Sequence, residues 1–169
     1  MSDRLFRAVR PGRWLESPPW LPNGAAPADC LEDMRAKGSE LSIYVVPPGE
    51  DPERVAIALA GTKQTFEEAG YILFDSQIVT DLGIEIRTTA GKTPDPVVDG
   101  WHRELVELTA GSLAELATRL WNVRDTLLDR RYTPQIRTAI LSGVQTGRLR
   151  KERMNPDMRK KIEKLLASG

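Results

Sequence analysis

The chain has 169 residues, with 24 Lys plus Arg against 24 Asp plus Glu, 40% hydrophobic residues, 6% aromatic, one His and one Cys. A protein of this size removes roughly two-thirds of its unfolded surface from water, so it needs no disulfide or metal to hold a core. Cys30 and His102 alone cannot make a four-ligand zinc site or a disulfide framework, and no apolar run approaches the ~20 residues that cross a bilayer. Zinc fingers and secreted disulfide scaffolds are excluded. The Arg-rich, Pro-interrupted start lacks the apolar stretch of a signal peptide, so a cytoplasmic location is expected, with no membrane contact, no cofactor and no metal.

The balanced charge conceals a segregation. Residues 1–15 carry four Arg against Asp3, a net of +3; residues 16–129 carry 9 bases against 20 acids, a net of −11. From Arg130 onward 11 bases face Glu152, Asp157 and Glu163, a net of +8. Such asymmetry bears on partners more than on fold.

In chain order, Pro11, Pro18, Pro19, Pro22 and Pro27 make the first 25 residues read as an extended arm pinned by Trp14 and Trp20. A short helix is expected from Ala28 to Lys37, closed by Gly38, and then a buried strand from Leu41 to Val46. Asp51 as N-cap, Pro52 and Glu53 open a helix running to about Ala60, with Gly61 as its stop. A helical turn around Phe66–Ala69 leads to a strand at Tyr71–Phe74. Ile84–Thr88 alternates apolar and charged residues, as an edge strand does. Strand, helix, strand favours parallel pairing by a right-handed crossover.

Beyond Pro96 the period turns helical. Val98, Trp101, Leu105 and Leu108 form one stripe, and Ser112 with Glu115 matches a capping box. Leu113, Leu116, Leu120, Val123 and Leu127 follow as a two-heptad seam, which packs into the core or against a second copy. Thr133–Pro134 and Asn155–Pro156 open two further helices, the first carrying Ile136 and Ile140 and stopped by Gly143, the second carrying Met158 and Ile162. The resulting expectation is an α/β (or α+β) protein: a small three-stranded, mostly parallel βαβ-type body followed by a C-terminal helical segment. Its segments are the Pro/Arg-rich arm 1–25, the acidic α/β body 26–96 and the helical region 97–169 with its basic end at 130–169, which can still pack as one domain.

No catalytic motif is complete. Gly91-Lys92-Thr93 follows a strand, but the first Gly of a phosphate loop is replaced by Ile86 and Pro94-Asp95-Pro96 follows, so a polar turn is expected. His102 is the single imidazole suited to acid–base work near neutral pH, and Asp75, Asp81, Glu85, Asp95 and Asp99 lie near strand ends. An enzyme would need His102 in one pocket with at least two of these acids. Arg4-Leu5-Phe6-Arg7-Ala8-Val9 resembles the first strand of ADP-ribosyltransferase-like toxins, which implies an Arg beside a nicotinamide dinucleotide. The resemblance covers six residues, and the Glu-x-Glu or Gln-x-Glu element of those families does not occur.

The strongest functional signal is the basic end: Arg148, Arg150, Lys151, Arg153, Arg159, Lys160, Lys161 and Lys164. Bases that meet phosphates release counterions, which gives salt-sensitive nucleic-acid binding. The gap between the last two helices exceeds the 3–4-residue turn of a helix-turn-helix, and the absence of aromatics after Tyr132 argues against base stacking. The expected function is a non-enzymatic binding protein whose acidic body engages a protein partner and whose basic end contacts nucleic acid or an acidic surface. The alternatives are a homo-oligomeric interaction module of immunity or adaptor type, using the Leu113–Leu127 seam, and a small enzyme using His102 with Asp95, Asp99 and Glu85.

Overall fold

The computed structural model describes residues 3–15 and 17–168. Six strands, β1 (Arg4–Val9), β2 (Leu41–Val46), β3 (Ala69–Asp75), β4 (Glu85–Thr88), β5 (His102–Val106) and β6 (Leu128–Arg131), form one sheet in the order β4-β5-β2-β1-β3-β6. Every neighbouring pair is antiparallel. The helices are α1 (Pro11–Trp14), α2 (Ala28–Asp33), α3 (Glu53–Ala60), α4 (Gln77–Asp81), α5 (Pro96–Asp99), α6 (Ala110–Leu127), α7 (Thr133–Gln145) and α8 (Pro156–Ala167), with a 3-10 turn at Lys151–Arg153.

This overturns the small parallel body, and the reason lies in β1. β2 and β3 are each antiparallel to β1, so they do run in the same direction as one another, as a strand–helix–strand unit requires. β1 is inserted between them and removes the parallel contact. The segment read as an extended arm is thus a central strand, disguised by Arg4, Arg7 and the following Pro11. Trp14 pins the chain behind it and is fully buried, whereas Trp20 is 73% exposed.

The other two unexpected strands also arise from pairing across the chain. The 3, 4, 3 spacing after Pro96 gives only the single turn of α5, capped by Asp95 accepting from the Val97 N–H at 3.0 Å and ended at Gly100. His102–Val106 then enters the sheet between β2 and β4, satisfying backbone groups that a helix would have left open along β2. Leu128–Arg131 leaves the end of the long helix to pair with β3. Phe66–Glu68 is loop rather than a helical turn, and α2 ends at Asp33 rather than Lys37.

Strand alternation distributes the core onto two faces. Leu5 and Val9, Leu41 and Ile43, Ile72 and Phe74, and Leu105 face Trp14, Cys30 and Met34 and the α6 residues Leu116, Ala117, Leu120 and Trp121. Phe6, Tyr44, Val46, Tyr71 and Leu73 face Val55, Ala56 and Ala58 of α3, with Val98 and Trp101. A third cluster joins the back of α3 (Ile57, Ala60) to Ile136, Ile140, Leu149, Met154, Met158 and Ile162, and so seats α7 and α8 on the body.

Two of the expected start signals form, whereas the stop expected at Gly143 does not: α7 runs on to Gln145 and ends at Thr146. Asp51 accepts from the Glu53 N–H at 2.8 Å and Asn155 from the Asp157 N–H at 2.9 Å. The box that opens α6 sits three residues earlier than expected: Thr109 Oγ1 accepts from the Ser112 N–H (3.1 Å) and Ser112 Oγ from the Thr109 N–H (3.0 Å).

Candidate functional site

The β1–β2 ladder stops at Phe6↔Tyr44 although both strands continue, while β1 stays paired with β3 as far as Val9↔Gly70. The two central strands therefore splay. Arg7 bridges the gap: its Nη1 donates to the Ser42 carbonyl at 2.7 Å, its Nε to the Asp33 carbonyl at 3.0 Å, and its Nη2 to the same carbonyl. Side-chain N–H groups thus replace the missing ladder bonds.

Over the gap lies a cleft of about 470 Å³, within the roughly 300–1,000 Å³ of small-molecule sites. Its floor is the sheet: Phe6 and Ala8 of β1, Ser42 and Tyr44 of β2, and His102 of β5, which stands opposite Tyr44 in the β2–β5 register. Ala56, Leu59 and Ala60 of α3 and the Lys63–Glu68 loop form the opposite wall. Ala8 and Ser42 are exposed, which is unusual for central strands and marks where α3 fails to cover the sheet.

The polar groups here are desolvated. Burial draws the Arg7 guanidinium down to about 10, against the pull of Asp33. Burial, aided by Asp99, pushes the Tyr44 phenol up to about 12, so it remains a hydrogen-bond donor. His102 is 8% exposed and its pKa is lowered by burial, against the opposing influence of Glu104 and the hydrogen bond with Thr89. Its Nδ1 lies 2.7 Å from Thr89 Oγ1, and among the described residues Nε2 has no such partner. A neutral imidazole, a phenol and a hydroxyl thus converge on one cleft.

The strand-end carboxylates do not join them. Asp95 is buried and held bidentately by Arg54 (Nε 2.7 Å, Nη2 3.1 Å), which also lies 5.6 Å from the Trp101 ring. Asp99 accepts from the Thr93 N–H (2.7 Å) and Thr93 Oγ1 (2.9 Å) and pairs with Arg153 at 2.5 Å. The Gly91-Lys92-Thr93 turn is closed on this network, with the Gly91 N–H donating to the Asp99 carbonyl at 3.2 Å. Asp75 and Asp81 bond to Gln77 of α4, and Glu85 is exposed on edge strand β4. None of the five lines the cleft that His102 lines. Among the described residues no three His, Cys, Asp or Glu side chains are grouped to hold a metal, and no helix is long and apolar enough to cross a membrane. Burial pushes the Cys30 thiol up to about 12, far from a reactive thiolate.

Of the seam residues, Leu116 and Leu120 are fully buried against the sheet and the partly buried Leu113 packs on the same cluster. Val123 is half-buried, and the side chain of Leu127 lies outside the described ones.

The basic end remains largely uncompensated. Arg153 pairs with Asp99, but Arg148, Arg150, Lys151, Arg159, Lys160, Lys161 and Lys164 form no ion pair among the described residues. Lys161 Nζ donates to the Gln64 carbonyl at 3.1 Å, and the Arg150 N–H to the Pro94 carbonyl at 2.9 Å, so the segment is fixed to the body through neutral acceptors. Lys160 and Lys164 lie one turn apart on the exposed side of α8, opposite Met158 and Ile162. The 3-10 turn occupies the gap between α7 and α8.

The sequence motifs did not single out Ser42 or Tyr44, and only the six-residue resemblance drew attention to Arg7. The one available signal was Ser42 interrupting an otherwise apolar strand. Compared with known proteins, the chain matches no family model, no curated protein and no solved structure.

Proposed function

We propose that the protein binds duplex nucleic acid through the phosphate backbone, using the basic segment from Arg148 to Lys164. The observation that supports this most directly is that seven of the eight bases named there lack an ion pair among the described residues. Folding therefore leaves a dense positive patch on a segment held in place by the third hydrophobic cluster and by bonds to Pro94, Gly61 and Gln64. Cations carried on a backbone that is already held in place meet phosphates without the cost of ordering the main chain. No aromatic residue follows Tyr132, so contact with the backbone of paired strands fits better than stacking on unpaired bases.

Anisotropy of a short labelled DNA duplex tests this. If about four bases each neutralise a phosphate, affinity falls about 50-fold between about 50 and about 150 mM salt, a log–log slope of about −3.6. Substituting Lys160, Lys161 and Lys164 together by Ala reduces that slope by about 2.7. An absence of binding at low salt, or a slope the triple variant leaves unchanged, refutes the proposal and favours an acidic protein surface as the partner.

A further inference from the structure

The charges lining the cleft are unequally satisfied. Asp33 spends its carboxylate on the Arg10 N–H (2.8 Å), Trp14 Nε1 (3.0 Å) and Arg13 (2.9 Å). Glu32 also pairs with Arg13, and Glu68 pairs with Arg130 at 2.5 Å. Glu67 is the lining acid without a basic partner among the described residues. Against it stand three cations with no carboxylate at hydrogen-bond distance: Arg7, whose acceptors are neutral carbonyls, and the exposed side chains of Arg10 and Lys63. A desolvated guanidinium whose hydrogen bonds all go to neutral carbonyls, with Asp33 acting on it only at longer range, favours an anion supplied from outside.

The neutral donors and the apolar lining narrow the choice. Tyr44 and Ser42 add hydroxyls to the cations, a set suited to several oxygens of one dianionic group rather than to a single carboxylate. Phe6, Ala8, Leu59 and Ala60 offer an apolar surface beside them. We infer that the cleft between α3 and the splayed strands binds a small phosphate monoester, with its head among Arg7, Lys63 and the Tyr44 and Ser42 hydroxyls and its apolar body over Ala8 and Leu59. This site is separate from the basic C-terminal segment and does not depend on it.

His102 is the single imidazole of the chain, so its ring protons report on the cleft without ambiguity in a proton NMR spectrum. Titrating the full-length protein with phenyl phosphate shifts those signals saturably, with affinity about tenfold above that for inorganic phosphate, because the ring adds apolar burial. Benzyl alcohol, which keeps the ring and lacks the charge, gives no saturable shift. Ala8→Phe fills the floor and abolishes the response while Arg7 continues to hold the strands together. Lys63→Ala, an exposed change that leaves the fold alone, weakens binding about fivefold. The Lys160, Lys161 and Lys164 triple Ala variant leaves phenyl phosphate binding unchanged, whatever it does to duplex binding. The inference is overturned by no saturable shift at millimolar phenyl phosphate, by equal binding of benzyl alcohol, by wild-type binding in both Ala8→Phe and Lys63→Ala, or by loss in the triple variant.

Discussion

Replacing Arg54 by Met tests how the wall of the cleft is held to the sheet. Arg54 lies on α3 and Asp95 caps α5 just ahead of β5, so their bidentate pair ties the helix wall to the start of the strand that carries His102. Asp95's side chain is 1% exposed and Arg54's 22%. Removing one partner of a fully buried pair costs about 3–5 kcal/mol, because the remaining charge is stranded; water reaching Arg54 reduces this to about 2 kcal/mol here. For a chain of this length, that lowers Tm by about 4–8 °C. Adding Asp95→Asn keeps the cap oxygen for the Val97 N–H and removes the stranded charge, so the double variant recovers about half the loss. Urea unfolding followed by circular dichroism reads both. A single variant within about 0.5 kcal/mol of wild type, or a double variant no better than the single, refutes this account.

The same pair sets a pH window. Burial acts to raise the Asp95 pKa, but the Arg54 hydrogen bonds and the Val97 N–H outweigh it, and the folded value lies below the ordinary carboxylate value. A depressed folded pKa contributes stability that is present above the unfolded value and is lost as pH falls through the folded one. The stability difference between wild type and Arg54→Met therefore shrinks on acidification through that range.

His102 titrates below the ordinary histidine value of about 6.5, since burial outweighs Glu104 and Asp99 while Arg103 acts with burial. Its contribution to stability is complete above the unfolded pKa and is lost as pH falls through the folded one, so His102→Gln flattens the pH–stability profile just below neutrality. An NMR midpoint at or above the ordinary value contradicts this. Gly70→Ala lowers Tm by about 4–8 °C, because a Cβ there sits 2.4 Å from Pro11 Cγ and 2.9 Å from the Val9 carbonyl, an overpacking cost of about 2 kcal/mol. A wild-type melting curve shows that Pro11 moves aside freely.

What the sequence made legible was local. The caps at Asp51 and Asn155, the strand Leu41–Val46 and the edge position of Glu85–Thr88 are set by residues within a few positions of one another. β1, β5 and β6 are set by partners far along the chain, and their own residues send a different local signal: Arg and Pro for β1, a helical stripe for β5, a continuing helix for β6. The site shared this fate. His102 is the lone imidazole, yet its local spacing reads as helix, and only the β2–β5 register brings it beside Tyr44. Arg7 reads locally as part of a charged arm, whereas its guanidinium bridges a gap in the sheet.

Charge segregation survives folding for a reason visible in the ion pairs. Arg13, Arg54, Arg87 and Arg119, all ahead of the basic end, each find a carboxylate. Arg130 and Arg131, at the start of the basic end, do so through Glu68 and Glu53, because β6 brings them into the sheet. Past Arg148 the chain docks on the body through apolar side chains and backbone carbonyls, and among the described residues Arg153 alone reaches an acid. The body therefore pairs several of its arginines and retains its excess of acids, while most of the C-terminal bases stay unpaired among the described residues. Charges left apart by folding set up a field along the molecule, positive at one end. Under the function proposed above, that field steers a polyanion toward the segment from Arg148 to Lys164 and away from the acidic body.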